Sequence, residues 1–309
     1  MKTLSFLKRS TLYMTVLALS FAACSDSNND VESVTQEDLE AATQIVGTSL
    51  SDDESGLMSS MYDTYSDIDD SGIYYESGAQ YKESGNGQEY HRYHGREFET
   101  NYVHAYDSLT GIHTITFDRN VSVNNTNNSF SKSVSIASKY IFTDPDGNFI
   151  AEPKLEKSSV NTIYFTSLKT GSLDGHTRES NFSKVDTMFV QGLHSSNPIV
   201  YMNGNHYENG DASLTLKNGS TMSRNYTSYF TFEDIAVEKD TVSAYGNLEH
   251  GVTGTLTFKI EMTRTRNDNS TEKVVEGTVE LVGDGTALIQ FAKSSTSTYI
   301  SLISGEEID

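Results

Sequence analysis

The feature that most constrains this fold is an alternation of apolar and polar residues with a period of two, from about Tyr81 onward. The clearest run is 252–264, in which the apolar residues fall on every second position. Successive side chains of a strand point to opposite faces, so this run predicts a strand with one buried and one solvated face. Its buried face would consist of Val252, Leu256, Phe258, Ile260 and Met262.

Similar runs recur along the chain and are joined by segments that contain turn residues. Asn-Gly or Asp-Gly pairs at 146–147, 209–210, 218–219 and 284–285 supply residues that reach positive φ at low cost. No helical periodicity separates the runs, which argues against a βαβ architecture. We therefore expect a mainly β protein, in which residues 81–309 form a large antiparallel meander closed as a barrel or folded as a sandwich. The other predicted strands are 98–106, 112–123, 132–142, 163–167, 199–207, 222–232, 273–282, 286–291 and 299–303.

A short acidic segment, residues 35–80, precedes the predicted sheet and has helical periodicity. Thr35 is a candidate start for a first helix and Gly47 a candidate stop. Ser51 and Glu54 fit the capping box of a second helix. The second helix would carry an apolar stripe, which predicts a face packed on the β domain, formed by Leu57, Met58, Met61, Tyr62 and Tyr65.

The N-terminus reads as an export signal. Lys2, Lys8 and Arg9 precede an uncharged stretch from Leu12 to Ala23, which is too short to span a bilayer as a helix. The chain's one cysteine, Cys24, follows directly. An ordinary signal peptide and an uncleaved anchor are the alternatives for this region.

The stretch 19–24, Leu-Ser-Phe-Ala-Ala-Cys, resembles a bacterial lipoprotein signal, although Phe21 stands where that family more often has Leu. The resemblance implies that residues 1–23 are removed and that Cys24 receives acyl chains such as palmitate. It further implies an outer-membrane destination, because the residue after the cysteine is Ser25 and not Asp. Residues 24–34 are polar and acidic, which predicts a disordered tether. Display at the cell surface is compatible with this pattern.

The charge balance restricts the partners. Removal of residues 1–23 would leave 19 Lys and Arg against 43 Asp and Glu, a net charge of −24. Nucleic acid binding requires basic surface that this composition does not supply. An anionic membrane would repel the folded body, so we expect attachment to the membrane through the lipid on Cys24.

One segment resembles the start of a calcium-binding loop. Asp67, Asp69 and Ser71 occupy its first three ligand positions, and Gly72 permits the sharp turn. The twelfth position, which should hold a bidentate Glu, is Gly78. An acidic turn is therefore the preferred interpretation, with Asp67, Asp69 and Ser71 kept as candidate calcium ligands and no other cofactor expected.

The sequence lacks the motifs of common catalytic sites: it has no HExxH, no GxSxG and no glycine-rich phosphate loop. It has eighteen tyrosines, half of them between Tyr62 and Tyr106. Tyrosines on the exposed faces of strands are the preferred interpretation of this segment, and a recognition surface is the alternative. We expect a non-enzymatic binding or adhesion module with a protein or glycan ligand. A structural or assembly component of the envelope is the second hypothesis and a hydrolase the third.

Overall fold

A computed structural model describes residues 34–66 and 97–308, apart from 126–127, 154, 176–177, 220 and 267–268. These residues include three α-helices, α1 (Gln36–Leu50), α2 (Leu57–Ser66) and α3 (Lys239–Tyr245). The strands are β1 (Glu97–Asp107), β2 (Ile112–Asn125), β3 (Asn128–Thr143), β4 (Thr162–Asp174), β5 (Arg178–Gln191), β6 (Ile199–Thr215), β7 (Thr221–Glu238), β8 (Val252–Arg266), β9 (Asn269–Val282), β10 (Thr286–Phe291), β11 (Ser297–Ser301) and β12 (Glu307–Ile308).

The twelve strands form a single antiparallel sheet in which each strand pairs with its neighbours in sequence. The predicted antiparallel meander with a preceding helical segment is thus confirmed. The sheet is not closed, and β1 and β12 are its two edge strands in the described part of the chain.

One face of the sheet is buried and the other faces solvent. In β5 every second residue from Arg178 to Val190 is buried, and the intervening residues are exposed or half-buried. The predicted register of β8 is also confirmed, because Phe258 and Ile260 are buried whereas Thr257 is exposed. Below, the buried side is called the inner face and the solvated side the outer face.

Helices α1 and α2 pack on the inner face. Helix α1 lies against β6, β7, β9, β11 and β12, and α2 lies against β4. Together with the sheet they form one hydrophobic core, to which α1 contributes Ile45, Val46 and Leu50. The apolar stripe predicted for α2 is buried at Leu57, Met58 and Met61.

Two predicted helix boundaries are wrong. Gly47 does not end α1, which continues to Leu50. The glycine serves a close approach instead, because a Cβ at Gly47 would collide with the carbonyl oxygen of Gly305. Ser51 does not cap α2; it is the C-cap of α1, and α2 begins six residues later at Leu57. The predicted start at Thr35 is correct, since Thr35 and Asp38 form a reciprocal capping box.

Among the described residues, no helix is long and apolar enough to cross a membrane.

Candidate functional site

Two features of this fold are candidates for function: a layer of buried ionic groups between the helices and the inner face, and an aromatic surface on the outer face. The four predicted site residues, Cys24, Asp67, Asp69 and Ser71, lie outside the described residues. Within those residues, no group of three or more His, Cys, Asp or Glu side chains is arranged to hold a metal ion.

At the centre of the buried layer, Asp186 on β5 directly opposes His206 on β6. The Oδ1 of Asp186 lies 2.6 Å from the Nδ1 of His206, and neither residue is exposed by more than 1%. The hydroxyl of Ser60, on α2, donates to Oδ2 of Asp186 at 2.5 Å, and Ser167 on β4 donates to the same oxygen at 3.0 Å.

The pKa shifts of Asp186 and His206 both favour the charged forms of the two side chains. Burial is the largest single effect and opposes the charge on His206, but the carboxylates of Asp186 and Glu208 together overcome it and raise the pKa of the imidazole. Burial likewise opposes the charge on Asp186, but His206, Lys169 and Ser60 together overcome it, so the pKa of the carboxyl is lowered. The imidazole also faces a second carboxylate, since its Nε2 lies 3.8 Å from Oε2 of Glu208.

Glu208, also on β6, links the sheet to α1. Ser49 on α1 donates to its Oε2 at 2.6 Å, and the hydroxyl of Tyr226 donates to its Oε1. Lys184 and Arg178 on β5 each lie 3.7 Å from this carboxylate. These cations overcome the effect of burial and hold the pKa of Glu208 well below its usual range. Gly210 leaves room for this arrangement, because a Cβ there would crowd the ring of Tyr226.

Three lysines on adjacent strands support the turn between α1 and α2. Lys132 on β3 donates to the carbonyl oxygen of Asp53 at 2.9 Å, and Lys169 on β4 lies 3.4 Å from that of Ser55. Lys184 donates to the carbonyls of Thr48 at 3.2 Å and of Glu54 at 2.9 Å. The last carbonyls of a helix lack intrahelical partners and carry partial negative charge. The lysines therefore stabilise the end of α1 and fix the turn on the sheet.

The buried layer contains Ser, His and Asp, the residue types of a hydrolytic triad, but not its connectivity. In a triad the histidine accepts the proton of the serine. Here the hydroxyl of Ser60 donates to Oδ2 of Asp186 and not to His206. The Nδ1 of His206 is hydrogen-bonded to Oδ1 of the same carboxylate. Ser60, Asp186 and His206 are all buried, with at most 1% of any of the three residues exposed. The geometry suits attachment of the helices to the sheet rather than nucleophilic attack on a substrate.

The outer face of β4–β7 carries a second kind of surface. Leu168, Val185, Tyr207 and Tyr229 stand opposite one another in a row across these four strands. The rings of Tyr207 and Tyr229 are 5.1 Å apart. Leu168 and Tyr229 are 46% and 43% exposed although they belong to a fully paired part of the sheet.

A second row lies nearer the end of the strands at which β4 begins and β5 ends. Tyr164 opposes Phe189 there. Tyr201 on β6 pairs with Gln191, two residues closer to that end than Phe189. Between the two rows runs a line of Thr166, Thr187, Asn205 and Thr231, in which Thr231 donates to the side-chain oxygen of Asn205 at 3.1 Å. We call the two apolar rows together the aromatic face; it consists of Tyr164, Leu168, Val185, Phe189, Tyr201, Tyr207 and Tyr229.

The size of the aromatic face is typical of a functional surface. Six of its seven residues are between 38% and 46% exposed. With about 150–250 Å² for a whole aromatic side chain, the four exposed rings of Tyr164, Phe189, Tyr201 and Tyr229 alone leave on the order of 300 Å² open to solvent. The largest patches of monomeric proteins reach about 300–600 Å² and are often interaction sites.

The sequence placed the recognition surface elsewhere. Most of the tyrosine-rich segment 62–106 lies outside the described residues; of the rest, Tyr62 packs against the core. The signal for the aromatic face is present in the sequence, because Tyr164, Leu168, Val185 and Phe189 fall on the strand positions opposite to the buried set. Comparison with protein-family models, curated proteins and solved structures yields no match for this chain.

Proposed function

We propose that this chain is a lipid-anchored protein of the outer membrane whose folded body is a non-catalytic binding module, with the aromatic face as its binding surface. The observation that carries the proposal is the exposure of Tyr164, Phe189, Tyr201 and Tyr229 on the outer face of strands whose inner face is largely buried. A sheet gains stability from burying such rings, so open rings on paired central strands favour a role in binding.

The buried layer supports this proposal from the other side of the sheet. Its ionisable groups join Ser49 and Ser60 of the helices to Glu208 and Asp186 of the strands. These contacts attach the helices to the inner face of the sheet. The outer face stays accessible to a ligand. The anchor would be the acylated Cys24, and the acidic residues that follow it would keep the body away from an anionic membrane.

The test is capture of ligands from envelope and extracellular material by the immobilised full-length protein. We expect Tyr164→Ser with Phe189→Ser to lose the captured material, because this variant removes both rings of one row. Tyr245→Ser with Tyr299→Ser is the matched control, since it removes two exposed rings that lie outside the aromatic face. Equal capture by the two variants would contradict the proposed function.

A further inference from the structure

An acidic groove adjoins the aromatic face and indicates the chemistry of the ligand. The groove has a volume of about 520 Å³ and lies at the end of β4–β7 that carries the β4–β5 and β6–β7 hairpins. Asp174, Glu179 and Asp211 contribute three exposed carboxylates to its lining. The other residues that line the groove from the outer face of the sheet have hydroxyl or amide side chains: Ser131, Ser172, Asn181, Ser213, Ser223, Asn225 and Thr263.

The groove's negative charge is not neutralised from within. Among the described residues that line it, Arg224 is the one basic side chain. Its guanidinium is buried and lies 2.6 Å from the carboxylate of Asp38 on α1. Asp211 receives a hydrogen bond from the neutral amide of Asn181 at 3.2 Å. The groove therefore presents a negative potential on a chain whose net charge is already −21.

The groove and the aromatic face lie close to each other along the same strands. Ser172 in the groove and Leu168 in the aromatic face are four residues apart on β4, which is about 13 Å. One row of small polar residues separates them: Thr170, Ser183, Asn209 and Thr227. An extended segment of about eight residues is long enough to contact both surfaces.

We infer that the ligand is a protein segment rich in Lys and Arg, with its cations in the acidic groove and its apolar side chains on the aromatic face. This inference rests on the proposed function and narrows its ligand class. Carboxylates attract Lys and Arg over a distance, and Tyr rings bind the same side chains through their faces. Anionic ligands would meet three carboxylates without an accessible cation in the groove.

The test uses fluorescein-labelled synthetic peptides of twelve residues and the full-length protein, with binding measured by fluorescence anisotropy. In the first peptide Lys and Arg alternate with Tyr and Leu, and in the second Glu replaces every cation. Maltohexaose serves as a neutral glycan competitor. We expect the wild type to bind the cationic peptide and not the acidic one, with affinity that falls as salt rises.

Three variants locate the binding. Asp174→Asn with Glu179→Gln and Asp211→Asn removes the groove's charges and should weaken binding at least about tenfold. Asp146→Asn with Glu152→Gln and Glu156→Gln removes the same charge from exposed positions between β3 and β4, at the opposite end of the strands, and should change affinity less than twofold. Tyr164→Ser with Phe189→Ser leaves the charge unchanged and should also weaken binding.

The outcomes separate this inference from the proposed function. Equal weakening by the two charge variants would mean that the peptide senses net charge alone, which overturns the inference. Binding of the acidic peptide, or displacement by maltohexaose, would overturn it as well. In each of these cases the proposed function stands if Tyr164→Ser with Phe189→Ser still loses captured envelope material, and it fails together with the inference if that capture is unaffected.

Discussion

Asp38 on α1 and Arg224 on β7 form an ion pair at 2.6 Å in which neither side chain is accessible to solvent. The same carboxylate accepts a hydrogen bond from the backbone N–H of Thr35 at 2.9 Å, so one residue both caps the helix and attaches it to the sheet. Removal of one partner from a buried pair leaves an uncompensated charge, which costs more than the pair itself contributes.

We therefore expect Asp38→Ala and Arg224→Ala each to lower the free energy of unfolding by about 3–5 kcal/mol. The double variant should lose clearly less than the sum, because it leaves no unpaired charge. Urea unfolding measures all three. The control is Lys217→Ala, which breaks the exposed Lys217–Glu307 pair at 2.8 Å and should cost under about 1 kcal/mol. Additive losses at 38 and 224 would show that the two residues act independently.

The hydrophobic part of the core gives a second prediction. Phe258 packs edge-on against Phe291, with 6.0 Å between ring centroids, and is 4% exposed. Phe258→Ala should lower the free energy of unfolding by about 3–5 kcal/mol. Thr257→Ala, one residue away on the outer face, should cost less than half of that loss. Equal costs in urea unfolding would contradict the one-sided burial of β8.

The same alternation explains how much of the fold was predictable. It located β8 as 252–264 against the observed Val252–Arg266. It missed β5, whose inner positions include Arg178, Ser180, Lys184 and Asp186, so that no apolar period marks the strand. The charges of Arg178, Lys184 and Asp186 are buried because β4, β6, β7 and the two helices supply partners for them. A period-two pattern reports burial of apolar groups and contains no information about such pairing.

Neither the closure of the sheet nor the position of the aromatic face could be predicted from the sequence pattern. A meander of local hairpins has the same strand pattern whether its first and last strands meet or stay apart.

Ser51 and Glu54 have the residue types of a capping box, yet the chain turns there because Asp52 and Asp53 donate backbone N–H groups to the carbonyl oxygens of Leu302 and Ile303. The aromatic face depends on the register across β4–β7, since one of its rows combines residues up to 61 positions apart, Leu168 and Tyr229.

The candidate calcium ligands can be tested without a view of their geometry. We expect little effect of calcium on thermal stability, because Gly78 stands where the loop needs a bidentate Glu. Melts of the wild type and of Asp67→Asn with Asp69→Asn, in millimolar calcium or in chelator, measure the effect. A calcium-dependent rise above about 5 °C that only the wild type shows would establish a site.

The anchor prediction concerns Cys24. Acylation requires its sulfur, so Cys24→Ser should prevent incorporation of a clickable palmitate analogue and release the protein from the membrane fraction or leave it unprocessed. Ser25→Ala keeps the thiol and is the matched control. Palmitate label retained by Cys24→Ser would rule out the proposed anchor.

Two half-buried acids, Asp53 and Glu54, and the buried His206 predict an unusual dependence of stability on pH. Burial, with the neighbouring Asp52 carboxylate as the next cause, raises the pKa of Asp53 to about 8. Burial also raises the pKa of Glu54 to about 6, although Arg178 and Lys184 oppose the shift. The pKa of His206 is raised as well, because the carboxylates of Asp186 and Glu208 together overcome the effect of burial. All three groups bind protons more tightly in the folded state than in the unfolded chain.

A group with a raised pKa stabilises the fold when it is protonated, and this contribution is lost as pH rises through its folded pKa. The free energy of unfolding should therefore increase by about 1–2 kcal/mol between pH 8 and pH 6. It should fall again below about pH 4, where Asp38, Asp186 and Glu208, whose pKa values are lowered, take up protons. Urea unfolding across this range should show a maximum near pH 5–6. Asp53→Asn should flatten the rise between pH 8 and pH 6, and an unchanged slope in that variant would assign the rise to other groups.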